Sequence, residues 1–347
     1  MQEDEVSAKP ETPRQTTIYD IARQVGLSAS TVSAVLNGNW KSRRISEKTA
    51  ERIRLVADRQ GFALNQQARA LRRQRSNLIG MIMPKYDNRY FSSIAEQFEH
   101  RARIRGLFPI ITCTSRDPEL ELQAARTLLS YKVDCVIATG ATNPDLISDI
   151  CRASGVLNYN LDLPGSRAPS VISDNYGGAL VLTSRVLAAC AAEAGRPEPL
   201  AFIGGRSTDH NTLERLRAFR DAHAQAGIAP REDMILTTGY AAERAEQAVT
   251  QLAAAMPTLP AGVFVNSTSA LEGVMRWLRT HHPEATIPHI GSFDWDPFAA
   301  LIDSRILMAR QDVETMLDIL FDMMAERAQD RHCTEVPVRQ IAAASED

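Results

Sequence analysis

Residues 17 to 36, TIYDIARQVGLSASTVSAVL, predict two short helices joined by a tight turn. Thr17 can accept a hydrogen bond from the backbone near Asp20, an arrangement that starts helices. Gly26 ends the first helix and Ser28 caps the second, so about three residues separate them. Apolar residues recur at helical spacing on one face of each helix: Ile18, Ile21, Ala22 and Val25, then Val32, Val35 and Leu36. The stretch is a candidate helix-turn-helix.

A third helix follows and completes a small core. Ser46 caps it, and Gly61 with Phe62 supplies the stop and an apolar plug. We therefore expect residues 15–62 to fold as an all-α unit, a pattern that an ordinary helical hairpin could also show.

Charge distinguishes these two interpretations. Between Arg14 and Asn77 there are thirteen Lys or Arg and four Asp or Glu, a charge of +9 in a chain of net charge -3, leaving -12 elsewhere. A basic segment on an acidic chain is typical of a module that neutralises phosphates. A solvated helix surface would mix both signs. Double-stranded DNA is the expected partner.

The order and spacing of these residues resemble the lactose-repressor family of bacterial transcription factors. The matching positions are Thr17 to Ala22, Gly26 to Ser28, Thr31 to Ser33, Val35 to Gly38, Ile45 to Thr49, Asn65, Ala68, Arg69 and Leu71. The resemblance implies a cytoplasmic transcriptional regulator, a repressor, that binds palindromic operator DNA as a homodimer. It further implies allosteric control by a sugar or sugar phosphate.

The resemblance also implies which residues contact DNA. They are Thr17, Tyr19, Ser28, Ala29, Ser30, Thr31, Ser33, Ala34, Asn37, Lys41, Arg43, Arg44, Asn65, Arg69 and Leu71. Small side chains let the second helix approach base edges, and Ala34 offers only a methyl contact to thymine. The loop NWKSRR after Gly38 resembles the fructose-repressor branch, and its basic residues are expected to hold phosphates.

Two segments flank this unit. Residues 1–14 are expected to be a disordered tail, and residues 63–77 resemble the family's hinge helix, which orders on operator DNA. In that resemblance Leu71 is a wedge between base steps in the minor groove. The alternative is that Leu71 packs the hinge onto the rest of the chain.

From Leu78 onward, apolar strands alternate with amphipathic helices, which predicts parallel sheets covered on both faces. The length suits two open α/β subdomains with a cleft between them, the periplasmic-binding-protein-like body of the same family. The overall fold class is therefore α/β with a small all-α head. We expect an effector-binding and dimerisation domain over 78–347, its N subdomain at about 78–176 plus 307–333 and its C subdomain at about 177–306, with three crossings between them.

Residues just after parallel strands line such a cleft. The resemblance places a sugar-clamping arginine on Arg215 and a ligand-binding aspartate on Asp294, which can grip vicinal hydroxyls as donor and acceptor. Further effector-binding candidates are Tyr90, Phe91, Asn88, Asp162 and Asp209, and Tyr86 and His210 are additional ones. The alternatives are that Asp162 caps a turn, that Tyr90 or Phe91 belongs to the core, and that His210 faces solvent. Arg206 is either a phosphate ligand or a surface charge, and a ligand of the fructose type is expected.

Other classes of protein are disfavoured. A sugar-processing enzyme or a sugar-binding transport protein could share the fold, but the chain has no P-loop, nucleophile elbow or paired-carboxylate motif. No export signal or membrane-length apolar run is present. Five scattered cysteines and seven histidines lack metal spacing, so we expect no metal, no cofactor and reduced thiols. The absence of a leucine-heptad tail favours a dimer over a tetramer.

Overall fold

The computed structural model describes residues 16–62, 75–256, 258–281 and 288–342. They belong to two compact units, Met1–Ser76 and Asn77–Asp347. The expected tail and most of the expected hinge, with Asn65, Arg69 and Leu71, lie outside the described residues. The tail, the hinge helix and the leucine wedge therefore stay predictions.

The first unit, the head, contains three helices: α1 Ile18–Val25, α2 Ala29–Leu36 and α3 Glu47–Arg59. The Thr17 side chain accepts from the Asp20 N–H while an Asp20 carboxylate oxygen accepts from the Thr17 N–H at 2.9 Å. Gly26 adopts a left-handed φ of 65°, which glycine tolerates without steric cost. Ser28 and Ser46 cap the next two helices. These predicted caps are confirmed.

The head has its own apolar core. Its fully buried members come from all three helices: Ile21, Val32, Val35, Ala50 and Ile53. Trp40 from the long loop and Phe62 after α3 pack against this core. The expected plug is thus present, and the loop is anchored through its tryptophan.

The second unit, the body, opens with alternating strands and helices. They are β1 Leu78–Met83, α4 Arg89–Ile104, β2 Phe108–Cys113, α5 Pro118–Ser130, β3 Cys135–Thr139, α6 Pro144–Ala153, β4 Leu157–Leu161 and β5 Ser170–Ser173. With a late strand, β11 Cys333–Val336, these strands form a parallel sheet of order β11-β5-β4-β3-β1-β2. This first sheet defines one α/β subdomain.

The rest of the body builds a second sheet. Its elements are α7 Asn175–Ala194, β6 Ala201–Ile203, α8 His210–Gln225, a 3-10 turn Glu232–Met234, β7 Ile235–Leu236, α9 Ala242–Ala255, β8 Gly262–Val265, α10 Thr268–His281, β9 His289–Phe293, α11 Ala299–Ile302, β10 Leu307–Arg310, α12 Val313–Glu326, β11 Cys333–Val336 and β12 Arg339–Ala342. The sheet order is β12-β10-β9-β8-β6-β7, with β12 antiparallel to β10.

The chain passes between the two sheets after β5, after β10 and after β11. The expected return to the first subdomain near residue 307 was wrong by one strand. Strand β10 pairs in parallel with β9, Met308 opposite Ser292, and so belongs to the second sheet. The return begins with α12, whose Leu317 and Leu320 are buried in the core of the first subdomain. A four-residue apolar strand does not reveal which sheet will pair with it.

Helix α7 is long and apolar enough to cross a membrane by length and composition. In this fold it is a core helix. Its residues Ala179, Leu182, Val186, Leu187 and Cys190 are buried with Phe202 and Phe264 of the second sheet. Its apolar character is explained by packing.

Candidate functional site

Helix α2 presents small polar side chains. Ser28 Oγ lies 2.8 Å from Ser30 Oγ and 2.8 Å from Thr31 Oγ1, so the first turn carries three linked hydroxyls. Ser28 and Ser30 are exposed, whereas Ala29 is partly buried against the head core. Ala34 is half-buried, and the Asn37 amide donates to the Ser33 carbonyl oxygen at 2.7 Å. Tyr19 on α1 is 73% exposed.

The loop between α2 and α3 carries a basic cluster around an aromatic ring. Lys41 Nζ lies 5.3 Å from the Trp40 ring centroid and the Arg54 guanidinium lies 5.8 Å from it. Lys41, Arg43 and Arg44 are all exposed. Cation–π contacts at this range hold cations in place without neutralising them. Arg54 was missed as a site residue, because its place on α3 gives no sign of this contact.

The body contains a cavity of about 220 Å³ where the carboxyl ends of the two sheets face each other. Six of the predicted effector residues line it: Asn88, Tyr90, Phe91, Asp162, Arg215 and Asp294. Arg206, which had two interpretations, lines it as well. The structure brings residues from both subdomains to one cavity.

Arg215 lies deep in this cavity, only 3% exposed. Its Nε donates to Asn175 Oδ1 at 2.9 Å and its Nη1 to the Asn266 carbonyl oxygen at 2.8 Å. The guanidinium carbon stands 3.7 Å from the Phe293 ring centroid. A planar donor fork held on three sides is preorganised for hydroxyl or carboxylate acceptors.

Asp294 follows β9 and is 8% exposed. Gln311 Nε2 donates to Asp294 Oδ1, and Gln311 Oε1 accepts from the Ser173 hydroxyl at 2.6 Å. Burial raises the pKa of Asp294 from 3.8 to about 6, although the nearby Arg215 charge opposes the shift. The carboxylate is therefore poorly solvated and available to a ligand hydroxyl.

Asp162 connects the two subdomains. Its Oδ1 accepts from the Tyr90 hydroxyl at 3.1 Å and from Asn211 Nδ2, on the second subdomain, at 3.2 Å. Burial raises the pKa of Asp162 and, more strongly, that of Tyr90. A ligand that replaces one of these partners would act on both subdomains at once.

Arg116 also spans the cleft. Its guanidinium lies 5.7 Å from the Phe91 ring centroid in the first subdomain and 4.6 Å from the Tyr240 ring centroid in the second. Its Nη1 is 3.9 Å from Asp209 Oδ2, a buried oxygen without a hydrogen-bond partner in the described part of the chain. Asp209 is thus a neighbour of Arg116 but is not among the residues that line the cavity.

Several lining residues were missed as site residues: Arg116, Asn211, Tyr240, Asn266 and Gln311. All but Asn211 come within a few residues after a strand, so the rule that selected Asp162 could have selected them. Tyr86 and His210 are outside the lining; Tyr86 is 52% exposed and donates to the Ile111 carbonyl oxygen.

The cavity is chemically a hydrogen-bonding site. Within the described ranges, no group of three His, Cys, Asp or Glu could hold a metal ion. Burial raises the pKa of the Cys135 and Cys151 thiols to about 12, so these thiols stay protonated. The lining amides, guanidinium groups and carboxylates can bind a small polyhydroxylated molecule.

Family models match both units. A model described as "Bacterial regulatory proteins, lacI family" matches residues 17–65, and one described as "Periplasmic binding protein domain" matches residues 79–327. The chain is similar to the ribitol operon repressor of Klebsiella aerogenes, 62% identical over 193 residues, which is 56% of this chain and 72% of that protein. It is 27% identical to the sucrose operon repressor of Klebsiella pneumoniae over 314 residues, 90% and 92% of the two chains.

Solved structures share the fold. The Lac repressor dimer bound to operator and the anti-inducer ONPF matches with a TM-score of 0.80 at 20% identity, covering 94% of this chain and 98% of that one. The Cra transcriptional dual regulator from Pseudomonas putida in complex with fructose 1-phosphate matches with a TM-score of 0.68 at 20% identity, covering 78% and 99%. The architecture of an α/β body with two subdomains is thus confirmed.

Proposed function

Since the chain belongs to the lacI family of bacterial regulatory proteins and is a DNA-binding transcriptional regulator, we propose that it represses pentitol-utilisation genes under the control of a small sugar or polyol bound in the body cavity. Control by a bound ligand is supported by one observation: the buried groups of Arg215 and Asp294 line one cavity between the two subdomains. The regulator binds and releases its ligand without turnover, in the cytoplasm.

The head supplies the DNA contacts. Helix α2 enters the major groove with Ser30, Ser33 and Ala34 near base edges, while Lys41, Arg43 and Arg44 hold phosphates. Two heads in a homodimer occupy the half-sites of a palindrome, because a two-fold assembly matches a two-fold operator. The remaining contacts are the ones expected from the sequence: Thr17, Tyr19, Ser28, Ala29, Thr31, Asn37, Asn65, Arg69 and Leu71.

The cavity supplies the effector contacts. Arg215 donates to hydroxyl oxygens and Asp294 accepts from hydroxyl groups, with Asn88, Tyr90, Phe91 and Asp162 around them. A cavity of about 220 Å³ is smaller than the ~300–1,000 Å³ typical of drug-sized ligands, which favours a molecule of monosaccharide size. The name of the relative that is 62% identical makes ribitol the first compound to test, with the fructose type as the alternative.

Control follows from the shared cavity. Because both subdomains contribute lining residues, a ligand favours one relative arrangement of them, and that preference biases the hinge and so the DNA affinity. The size of the effect is limited by the difference in ligand affinity between the two arrangements.

The test uses the full chain and fragments of its own genome. We expect selection of a palindromic fragment over random duplex, with affinity that falls steeply with salt. Ribitol or a related compound should then change that affinity, and no product should form from it. Absence of any preferred fragment, with or without these compounds, would falsify the regulator proposal.

A matched pair of variants tests the cavity. Arg215→Lys keeps the charge but loses the planar fork, so the ligand response should weaken by about tenfold or more. Arg220→Gln removes an exposed arginine of the same helix as Arg215, paired with Glu232 outside that helix, and should leave the response intact. Equal responses of the two variants would remove Arg215 from the site.

A further inference from the structure

We infer that the effector carries a phosphate monoester, which Arg206 and Arg244 bind with Arg116 while the inner cavity binds the hydroxyl groups. This inference rests on the proposed function, since it describes the ligand of the same cavity.

The cavity has the opposite charge to the body. Residues 78–347 contain 25 Lys or Arg and 34 Asp or Glu, a net charge of -9. The cavity lining contains five cations and two carboxylates: Lys85, Arg116, Arg206, Arg215 and Arg244, with Asp162 and Asp294. Counting also the adjacent Asp209 and Asp87, which pair with Arg116 and Lys85, the excess is still +1. Clefts lined by one sign of charge concentrate ligands of the other sign.

Two of these arginines have no acidic partner. Neither the Arg206 nor the Arg244 side chain forms an ion pair with any residue in the described ranges. Arginines elsewhere on the second subdomain do pair: Arg217 with Glu214, Arg220 with Glu232, Arg231 with Asp233, Arg276 with Glu272 and Arg305 with Asp303. Arg206 and Arg244 differ from these five arginines in that they line the cavity.

The basic residues form an outer layer. Arg215 is buried, Arg206 is half-buried and Arg244 is exposed. Arg244 Nη1 stands 3.3 Å from where a β carbon on Gly239 would lie, and Arg116 lies over the ring of the next residue, Tyr240. Arg116 and Arg244 thus both lie near the Gly239–Tyr240 segment of the cavity lining.

A helix end lies on the same side. Helix α10 begins at Thr268, and the Ser267 hydroxyl accepts from the Ala270 N–H at 3.1 Å. Ser267 and Ser269 both line the cavity. The positive end of a helix adds to the attraction that the arginines exert on an anion.

The chemistry assigns the two ends of the ligand. A phosphate monoester carries about -1.5 to -2 charges near pH 7 and three acceptor oxygens, which match unpaired guanidinium donors. The buried carboxylates Asp162 and Asp294 would repel it from the interior. With two carboxylates beside the single cation Arg215, the inner region suits hydroxyl groups better than a phosphate, so we place the phosphate against the outer arginines.

The first experiment compares matched compounds on the full chain by calorimetry: ribitol with ribitol 5-phosphate, and fructose with fructose 1-phosphate. We expect the phosphorylated member of at least one pair to bind about tenfold or more tightly than its neutral partner. If a neutral member binds best and shifts operator affinity, the phosphate inference fails while the proposed function stands. If no member binds, both fail.

The second experiment uses inorganic phosphate and does not depend on the carbon skeleton. At constant ionic strength, phosphate should raise the melting temperature of the wild-type chain. The Arg206→Gln/Arg244→Gln double variant should lose most of that rise, whereas the control Arg231→Gln/Arg276→Gln should keep it. An equal rise in both double variants, or no rise in the wild-type chain, overturns the phosphate site.

Discussion

Replacing Asp294 with asparagine should stabilise the protein at neutral pH and not in acid. The folded state raises the pKa of this carboxyl group from 3.8 to about 6. Between these values the native state holds the proton more tightly than the unfolded chain, so stability falls as pH rises through the window. At about 1.4 kcal/mol per pKa unit, the buried carboxylate costs about 3 kcal/mol once it is fully ionised.

Asparagine keeps the shape and can still accept from Gln311, but it cannot ionise. The free energy of unfolding of Asp294→Asn minus that of the wild-type chain should therefore rise by up to about 3 kcal/mol between about pH 4 and pH 7.5. Urea unfolding followed by circular dichroism at several pH values measures this difference. Titrating groups that do not interact with Asp294 cancel in the subtraction.

Asp303→Asn is a control of opposite sign. A side-chain hydrogen bond from Arg305 lowers the pKa of Asp303, so this variant should lose stability relative to the wild-type chain as pH rises. A difference for Asp294→Asn that stays flat across pH would refute the buried-carboxylate reasoning. Asp294→Asn should also respond weakly to ligand, because it loses the carboxylate that we propose as a ligand contact. A gain in stability with a loss of binding is common at functional sites.

Three further variants test other parts of the molecule. Val32→Ala removes two buried methyl groups from the head, which should lower the free energy of unfolding by about 2 kcal/mol and reduce DNA affinity while ligand binding persists. Leu55→Ala, at an exposed position of the head, is its control. Equal DNA affinities of the two variants would contradict the role of Val32 in the head core. Trp40→Ala should reduce the slope of log affinity against log salt by about 1 per lost phosphate contact, whereas Trp40→Phe should keep it, as read by fluorescence anisotropy. Gly273→Ala would place a β carbon 2.0 Å from a backbone oxygen of α9, so thermal melting should show strong destabilisation of the body.

The sequence alone was sufficient for much of the head. Its helix caps are local, because Thr17, Ser28 and Ser46 each bond to a backbone group three residues away. Such contacts depend on order along the chain and hardly at all on distant packing. The same holds for the alternation of strands and helices in the body, which periodicity reveals.

Long-range pairing was not accessible in the same way. The sheet membership of β10 depends on its partner β9, and the role of Arg54 depends on a ring fourteen positions earlier in the chain. In the cavity, Arg215 and Asp294 were found by resemblance, whereas Arg116 was missed. Its significance comes from Tyr240 and Asp209, which lie in the other subdomain and become neighbours only in the fold.

The hydrogen-bond chain from Asp294 through Gln311 to Ser173 lies at two of the three segments that join the subdomains. Asp294, the carboxylate that we propose as a ligand contact, is therefore tied to the fulcrum of the body. A turn of a few degrees at a fulcrum becomes a displacement that grows in proportion to distance from it. On the proposed function, a metabolite bound at Asp294 would in this way displace the far edge of a subdomain by more than it displaces the residues that touch it.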